Sequence, residues 1–207
     1  MEKIDLRKQY NKLYNPSARK VEVVDVPPLQ FAMVDGRIEP GATVGDSPDF
    51  QAAVNALYTI SYTLKFMFKK RDDDPIDYPV MALEGLWGTP SGQFEFGRPD
   101  TWLYTVMIMQ PDIITPDVFA EGLAQARKRK PEAGLDRLRL ETFHEGRAVQ
   151  VMHVGPYADE PATIGRRDAF MAENGLTPRG LHHEIYMSDP TRTAPERMKT
   201  VLRHPVE

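Results

Sequence analysis

One order of elements occurs twice in this chain, and nothing else in the sequence constrains the fold as much. In the first half a strand ends near Gly36, a loop and a helix follow, and the next strand carries Glu84. In the second half a strand ends near Gly155, a loop and a helix follow, and the next strand carries Glu184. The first half begins with "KVEVVDVPP", a short strand closed by Pro27 and Pro28, which have no amide hydrogen to give to a ladder. "LQFAMVDGRI" is a second strand, stopped near Gly36, and "EPGATVGDSP" is a loop by composition. From Asp49, the expected cap, the apolar positions Phe50, Val54, Leu57, Ile60, Leu64 and Met67 keep helical spacing to about Lys69. "YPVMALEGLW" and "TWLYTVMIMQP" are the next strands, the latter rich in aromatic and branched residues.

The second half repeats the plan. "ITPDVFAEGLAQARKRKP" is a helix with Thr115 as cap, Pro116 at its first position and basic residues in its last turn. "LRLETFHEGRAVQVMHVGPY" reads as a hairpin turning at Glu145-Gly146. "EPATIGRRDAFMAENGL" is a helix ended by Asn174-Gly175, and "GLHHEIYMS" and "MKTVLRHPV" are the last strands. The repeat is weak in letters and consistent in order. It predicts an α+β protein of two pseudo-symmetric β-α-β-β modules, about 21–114 and 115–207, behind a polar leader of residues 1–20. Such units bury helices on one face of their antiparallel sheets. The expected result is a central groove with Glu84 and Glu184 at corresponding points.

In "GLHHEIYMSDP" the strand period of two places His182, Glu184 and Tyr186 on one face and Leu181, His183, Ile185 and Met187 on the other. The second face is largely apolar and reads as core. The first holds an acid between two rings able to hydrogen-bond, which is either a solvated face or the floor of a pocket. Trp102, Tyr104, Val106 and Ile108 share a face by the same parity. Trp87 faces away from Glu84 unless Gly85 marks a bulge. His153 shares a strand face with Val149 and Val151 and reads as a satisfied core histidine.

Several function classes are excluded by composition. A net charge of −4 offers no basic patch for nucleic acid. The absence of cysteine removes disulfides and thiolate chemistry. No apolar run approaches a membrane span, and "MEKIDLRKQYNKLY" has no apolar core for a secretory signal, so a cytoplasmic location is expected. The glycines at 36, 41 and 45 are not followed by Gly-Lys-Ser/Thr and form no phosphate loop. His182 and Glu184 could share a metal, but no third ligand is spaced to join them, so neither metal nor cofactor is expected.

The stretches "YPVMALEGLW", "YTVMIMQPDIIT", "VMHVGPYADEPATI" and "HHEIYMSDPTRTAPERMKTVLRHPV" resemble the GyrI-like family, from about Val24 to the end. That resemblance implies a small-molecule-binding domain of two SHS2-type modules, with a groove glutamate matching Glu184. It is nearest to stand-alone members without a DNA-binding helix-turn-helix, some of which hydrolyse cyclopropane-bearing DNA-alkylating drugs. The function expected from it is hydrolysis of a strained electrophilic ring on a planar or aromatic compound. Glu184 is the expected base, Tyr104 or Tyr157 the hydroxyl donor to the developing phenolate, and Trp87, Trp102, Glu84, His182 and Tyr186 the substrate-binding residues. The alternatives are a non-catalytic drug-sequestering protein and a gyrase-type interaction module. The sequence does not set the oligomeric state.

Overall fold

Two-residue links shape this protein. In the computed structural model, which describes residues 1–90, 97–98 and 101–207, strand β2 (Glu22–Val26) is joined to β3 (Leu29–Arg37) by Pro27 and Pro28 alone. Likewise β7 (Arg139–Phe143) reaches β8 (Gly146–Val154) through His144 and Glu145. Neither pair is a hairpin. The eight-stranded sheet also includes β5 (Leu83–Gly88), β6 (Leu103–Met109), β9 (His182–Tyr186) and β10 (Lys199–Pro205), and its order is β2-β8-β10-β9-β5-β6-β3-β7. A two-residue link spans only about 10 Å, so the outer strands must approach each other and the sheet curls into a half-barrel.

This order overturns the hairpin expected at Glu145-Gly146. β7 pairs with β3 and β8 with β2, so each half lends its first strand to the other. The expected two-module repeat is visible in the order itself, which reads the same when the halves are exchanged. At its centre β5 and β9 run antiparallel, with Leu83 opposite Tyr186, Gly85 opposite Glu184 and Trp87 opposite His182. The register has no bulge at Gly85.

The long helix α3 (Pro48–Lys69) follows β3, and α5 (Glu160–Glu173) follows β8. The cap of α3 is Ser47, whose hydroxyl accepts from the Phe50 amide; Asp49, the expected cap, is two residues too late, with Pro48 already at the first helical position. Ala53, Ala56, Leu57, Ile60 and Leu64 are buried along one face of α3. Full burial of each such leucine or isoleucine contributes about 1.5–3 kcal/mol. α4 (Pro116–Arg129), capped by Thr115, packs against α3.

Both α3 and α5 lie on the sheet face that carries Trp87 and Glu184: Phe50 of α3 stacks on Trp87 at 5.6 Å, and Arg167 of α5 reaches His182. α3 covers β3 and β6 while α5 covers β8, so the central strands β5 and β9 form a groove floor between them. The opposite face is closed by the N-terminal segment, which is part of the folded domain. There α1 (Leu6–Gln9) and α2 (Asn11–Tyr14) bury Leu6, Leu13 and Tyr14, while β1 (Glu2–Lys3) pairs with β4 (Ile76–Asp77), which Lys65 and Lys69 tie to the end of α3.

Candidate functional site

The antiparallel register decides which residues meet. Paired residues share a face, so Leu83, Gly85, Trp87, His182, Glu184 and Tyr186 point toward the helices. Glu84, Leu86, His183 and Ile185 point to the other side. Glu84 and Glu184 are therefore not companions in one groove. The correspondence expected from the sequence fails by one residue, and a shift of one reverses the face.

Glu184 sits on the groove floor, its side chain 11% accessible. Each of its oxygens receives one hydrogen bond. The Tyr186 hydroxyl donates to Oε2 at 2.8 Å and itself accepts from the Trp87 indole N–H at 2.9 Å. His182 Nε2 lies 3.0 Å from Oε1, while Arg167 Nη1 lies 2.9 Å from His182 Nδ1. A guanidinium only donates, so Nδ1 must be the accepting nitrogen and Nε2 carries the proton given to Glu184. Burial lowers the histidine's pKa, against the pull of Glu184, and keeps this neutral tautomer. Two donor chains thus fix the carboxylate from opposite sides, Arg167–His182 and Trp87–Tyr186.

Gly85 makes the second chain possible. A Cβ there would stand 2.7 Å from Trp87 Nε1 and 3.2 Å from the Tyr186 hydroxyl. The missing side chain lets the indole lie across the strand, which explains Gly85 better than a bulge. Trp102 packs edge-on behind Trp87 at 5.5 Å, and Tyr104 is tilted against Trp87 at 5.9 Å. The Tyr104 hydroxyl donates to Asp49, which is also paired with Arg137. Tyr104 is therefore a tie between the sheet and the start of α3. Tyr157, in the turn before α5, meets Tyr186 edge-on at 5.9 Å and is 38% exposed. Burial and the charges of Glu160 and Glu184 hold its hydroxyl protonated up to about 12. Of the sequence-predicted residues, the structure brings together Glu184, His182, Tyr186, Trp87 and Tyr157, with Trp102 one ring further back.

Four residues that the sequence reading missed complete this face. Arg167 is 4% exposed, Glu160 is 1% exposed at the first position of α5, and Thr200 and His204 on β10 point the same way as Tyr186. Thr200 and His204 were within reach of the strand period applied to "MKTVLRHPV". Glu160 resembles any acid in a first helical turn.

Across the sheet, a second buried polar array surrounds Glu84. Tyr14 donates to Glu84 Oε1, His183 Nε2 lies 3.0 Å from Glu84 Oε2, and His183 Nδ1 lies 3.1 Å from Glu145. Arg203 binds Glu145 at 3.0 Å, Gln150 at 3.1 Å and the Leu13 carbonyl at 2.7 Å. The face expected to be apolar core around His183 is thus a buried ion network, closed by the N-terminal segment. Burial opposes charge on His183, but Glu145 and Glu84 on either side raise its pKa to about 9. Burial alone would raise Glu145, yet His183 and Arg203 draw it down to about 2. His153 is satisfied by Thr163 and the Pro156 carbonyl, at 2.9 and 3.1 Å. Among the described residues, no group of three or more His, Asp and Glu is arranged to hold a metal, and no helix is long and apolar enough to cross a membrane.

Residues 19–207 match the GyrI-like small molecule binding domain. An uncharacterized conserved protein from Listeria innocua is 41% identical over 99% of this chain and 100% of its own, with a TM-score of 0.88. A hydrolase from Listeria innocua is 40% identical over the whole of both chains, with a TM-score of 0.86. The C-terminal domain of EcmrR, 11% identical over 91% of this chain and 97% of its own, has a TM-score of 0.54 and shares the fold. No curated protein matches the sequence.

Proposed function

Because this chain belongs to the GyrI-like family of small-molecule-binding domains, we propose that it hydrolyses a strained electrophilic ring, such as a cyclopropane conjugated to a dienone, on a planar neutral compound. The observation that carries this reading is the double anchoring of Glu184, one donor on each oxygen, on a floor walled by Trp87, Tyr186 and Tyr157. The hydrolase from Listeria innocua supports the reaction class.

Each carboxylate oxygen keeps a lone pair after accepting one bond. Glu184 therefore takes a proton from water poised at the ring methylene, an assistance typically worth about 10² to 10⁴ in rate. His182 cannot replace it, since its accepting nitrogen is occupied by Arg167. The rings hold the flat substrate over the acid and reduce the entropic cost of attack. Tyr157 donates a hydrogen bond to the oxygen that gains charge; Tyr104, committed to Asp49, does not.

The test is mass spectrometry of a spirocyclopropyl cyclohexadienone incubated with the protein. A gain of one water per molecule, in excess over protein, is expected. Glu184→Gln should lower turnover at least a hundredfold and leave binding of this neutral compound unchanged. Protection that stops at one compound per protein, with no added water, would instead identify a sequestering protein.

A further inference from the structure

Among the described residues, five buried side-chain atoms have no hydrogen-bond partner, and three of them face the groove side of the sheet near α5: Glu160 Oε1, Thr200 Oγ1 and His204 Nδ1. Buried polar groups are nearly always satisfied, so a cluster of exceptions calls for an explanation. Thr200 lies opposite Tyr186 on the neighbouring strand and beside Glu160. His204 stacks on His182 with ring centroids 6.3 Å apart. A carboxyl group with one orphaned oxygen, a hydroxyl and an imidazole therefore collect on the side of the sheet that carries Glu184.

We propose that Glu160 is the second carboxyl group of the site, the acid that gives a proton to the substrate oxygen while Glu184 takes one from the attacking water. This inference rests on the ring-opening reading above. The chemistry balances without a further reagent. Water oxygen bonds to the ring methylene, and the bond from that methylene to the spiro carbon breaks. The released electron pair makes the dienone aromatic, and its oxygen takes the proton of Glu160. The proton of the water ends on Glu184, and exchange between the two carboxyl groups restores the starting state.

The surroundings favour this division of labour. Glu160 is buried at the start of α5 and faces the charge of Glu184; both effects push its pKa well above the usual carboxylate range, against a smaller downward pull from the Thr200 hydroxyl. Glu184 holds two donors, and Glu160 Oε1 holds none. The other charged and titratable groups around the pair are His182 and Tyr186 on β9, Arg167 on α5, Tyr157 before it and His204 on β10, with Tyr58 and Asp189 beyond Tyr157. His204 stays neutral, since burial, and after it the charge of Arg167, lower its pKa to about 3.

The experiment compares two spirocyclopropyl dienones, one plain and one carrying a nitro group that makes the phenol product more acidic. Glu160→Gln should lower kcat roughly hundredfold on the plain compound. It should cost several-fold less on the nitro compound, whose oxygen needs little protonation. An equal loss on both would mean a structural role and would overturn the proposal. Should the variant fail to fold, the wild-type protein serves. Its rate on the plain dienone must fall at alkaline pH more than on the nitro dienone, at pH values where circular dichroism shows the fold intact. Identical alkaline limbs would refute the role of Glu160. No water gained by either dienone with the wild-type protein would instead defeat the ring-opening reading itself.

Discussion

Gly85→Ala is the sharpest probe of how the site is built. The added methyl would stand 2.7 Å from Trp87 Nε1 and 3.1 Å from Cε2. Ordinary van der Waals contact requires several tenths of an ångström more. Trp87 has nowhere to go: it is 2% exposed, stacked on Phe50 and packed edge-on against Trp102. Overpacking of this kind costs about 1–3 kcal/mol, and loosening the Trp87–Tyr186 hydrogen bond adds about 0.5–1.5 kcal/mol. A total near 3 kcal/mol lowers Tm by roughly 6–12 °C in a chain of this size. The assay is thermal unfolding of Gly85→Ala in two backgrounds, native and Trp87→Phe. Phenylalanine removes the nitrogen and the fused ring that the methyl strikes, so Gly85→Ala should cost less than about 1 kcal/mol there. An equal cost in both backgrounds would refute the packing argument and point to the backbone of β5 instead.

Other outcomes follow from the two faces of the sheet. The His183–Glu145 network makes stability depend on pH with two signs. His183, raised from 6.5 to about 9, contributes fully below pH 6.5 and is lost as pH rises through 9; Glu145, lowered from 4.5 to about 2, contributes above pH 4.5 and is lost as pH falls toward 2. This network should therefore contribute most between about pH 5 and 6.5, and His183→Gln should flatten the alkaline decline measured by circular dichroism without abolishing it, because buried Glu160 adds a decline of the same sign. The two tyrosines should separate cleanly. Tyr104→Phe deletes a bond to the Asp49 carboxylate, so it should lower stability by about 1.5–3 kcal/mol with turnover kept. Tyr157→Phe should lower turnover of the dienone with Tm shifted by no more than about 1 °C.

Strand period and helix spacing were enough to find every long element and the alternation around Glu184, because these signals are local. Glu184, His182 and Tyr186 share a face whatever the neighbouring strands do. What the sequence could not carry was relative register. The expected match of Glu84 with Glu184 needed the alignment of β5 on β9 to one residue, and only the folded sheet sets that. The hairpin at Glu145-Gly146 failed for a related reason. Two strands joined by two residues usually pair, but here β3 and β2 supply competing partners from the other half. Glu160 was invisible for a third reason: its first-turn position is favourable in any exposed helix, and its burial at the start of α5 is a tertiary fact.

The lending of first strands between halves also decides when this protein can fold during its synthesis. β2 leaves the ribosome early, yet its sheet partner, β8, follows about 120 residues later, a wait of roughly 6–24 s at usual elongation rates. β3 in turn lacks β7 along one edge until the second half appears. The N-terminal segment must wait longest, since the Leu13 carbonyl is held by Arg203 on the last strand. The nascent first half therefore carries open strand edges and an uncovered apolar helix face until translation is nearly complete, which makes it a natural client for chaperones that bind at the tunnel exit.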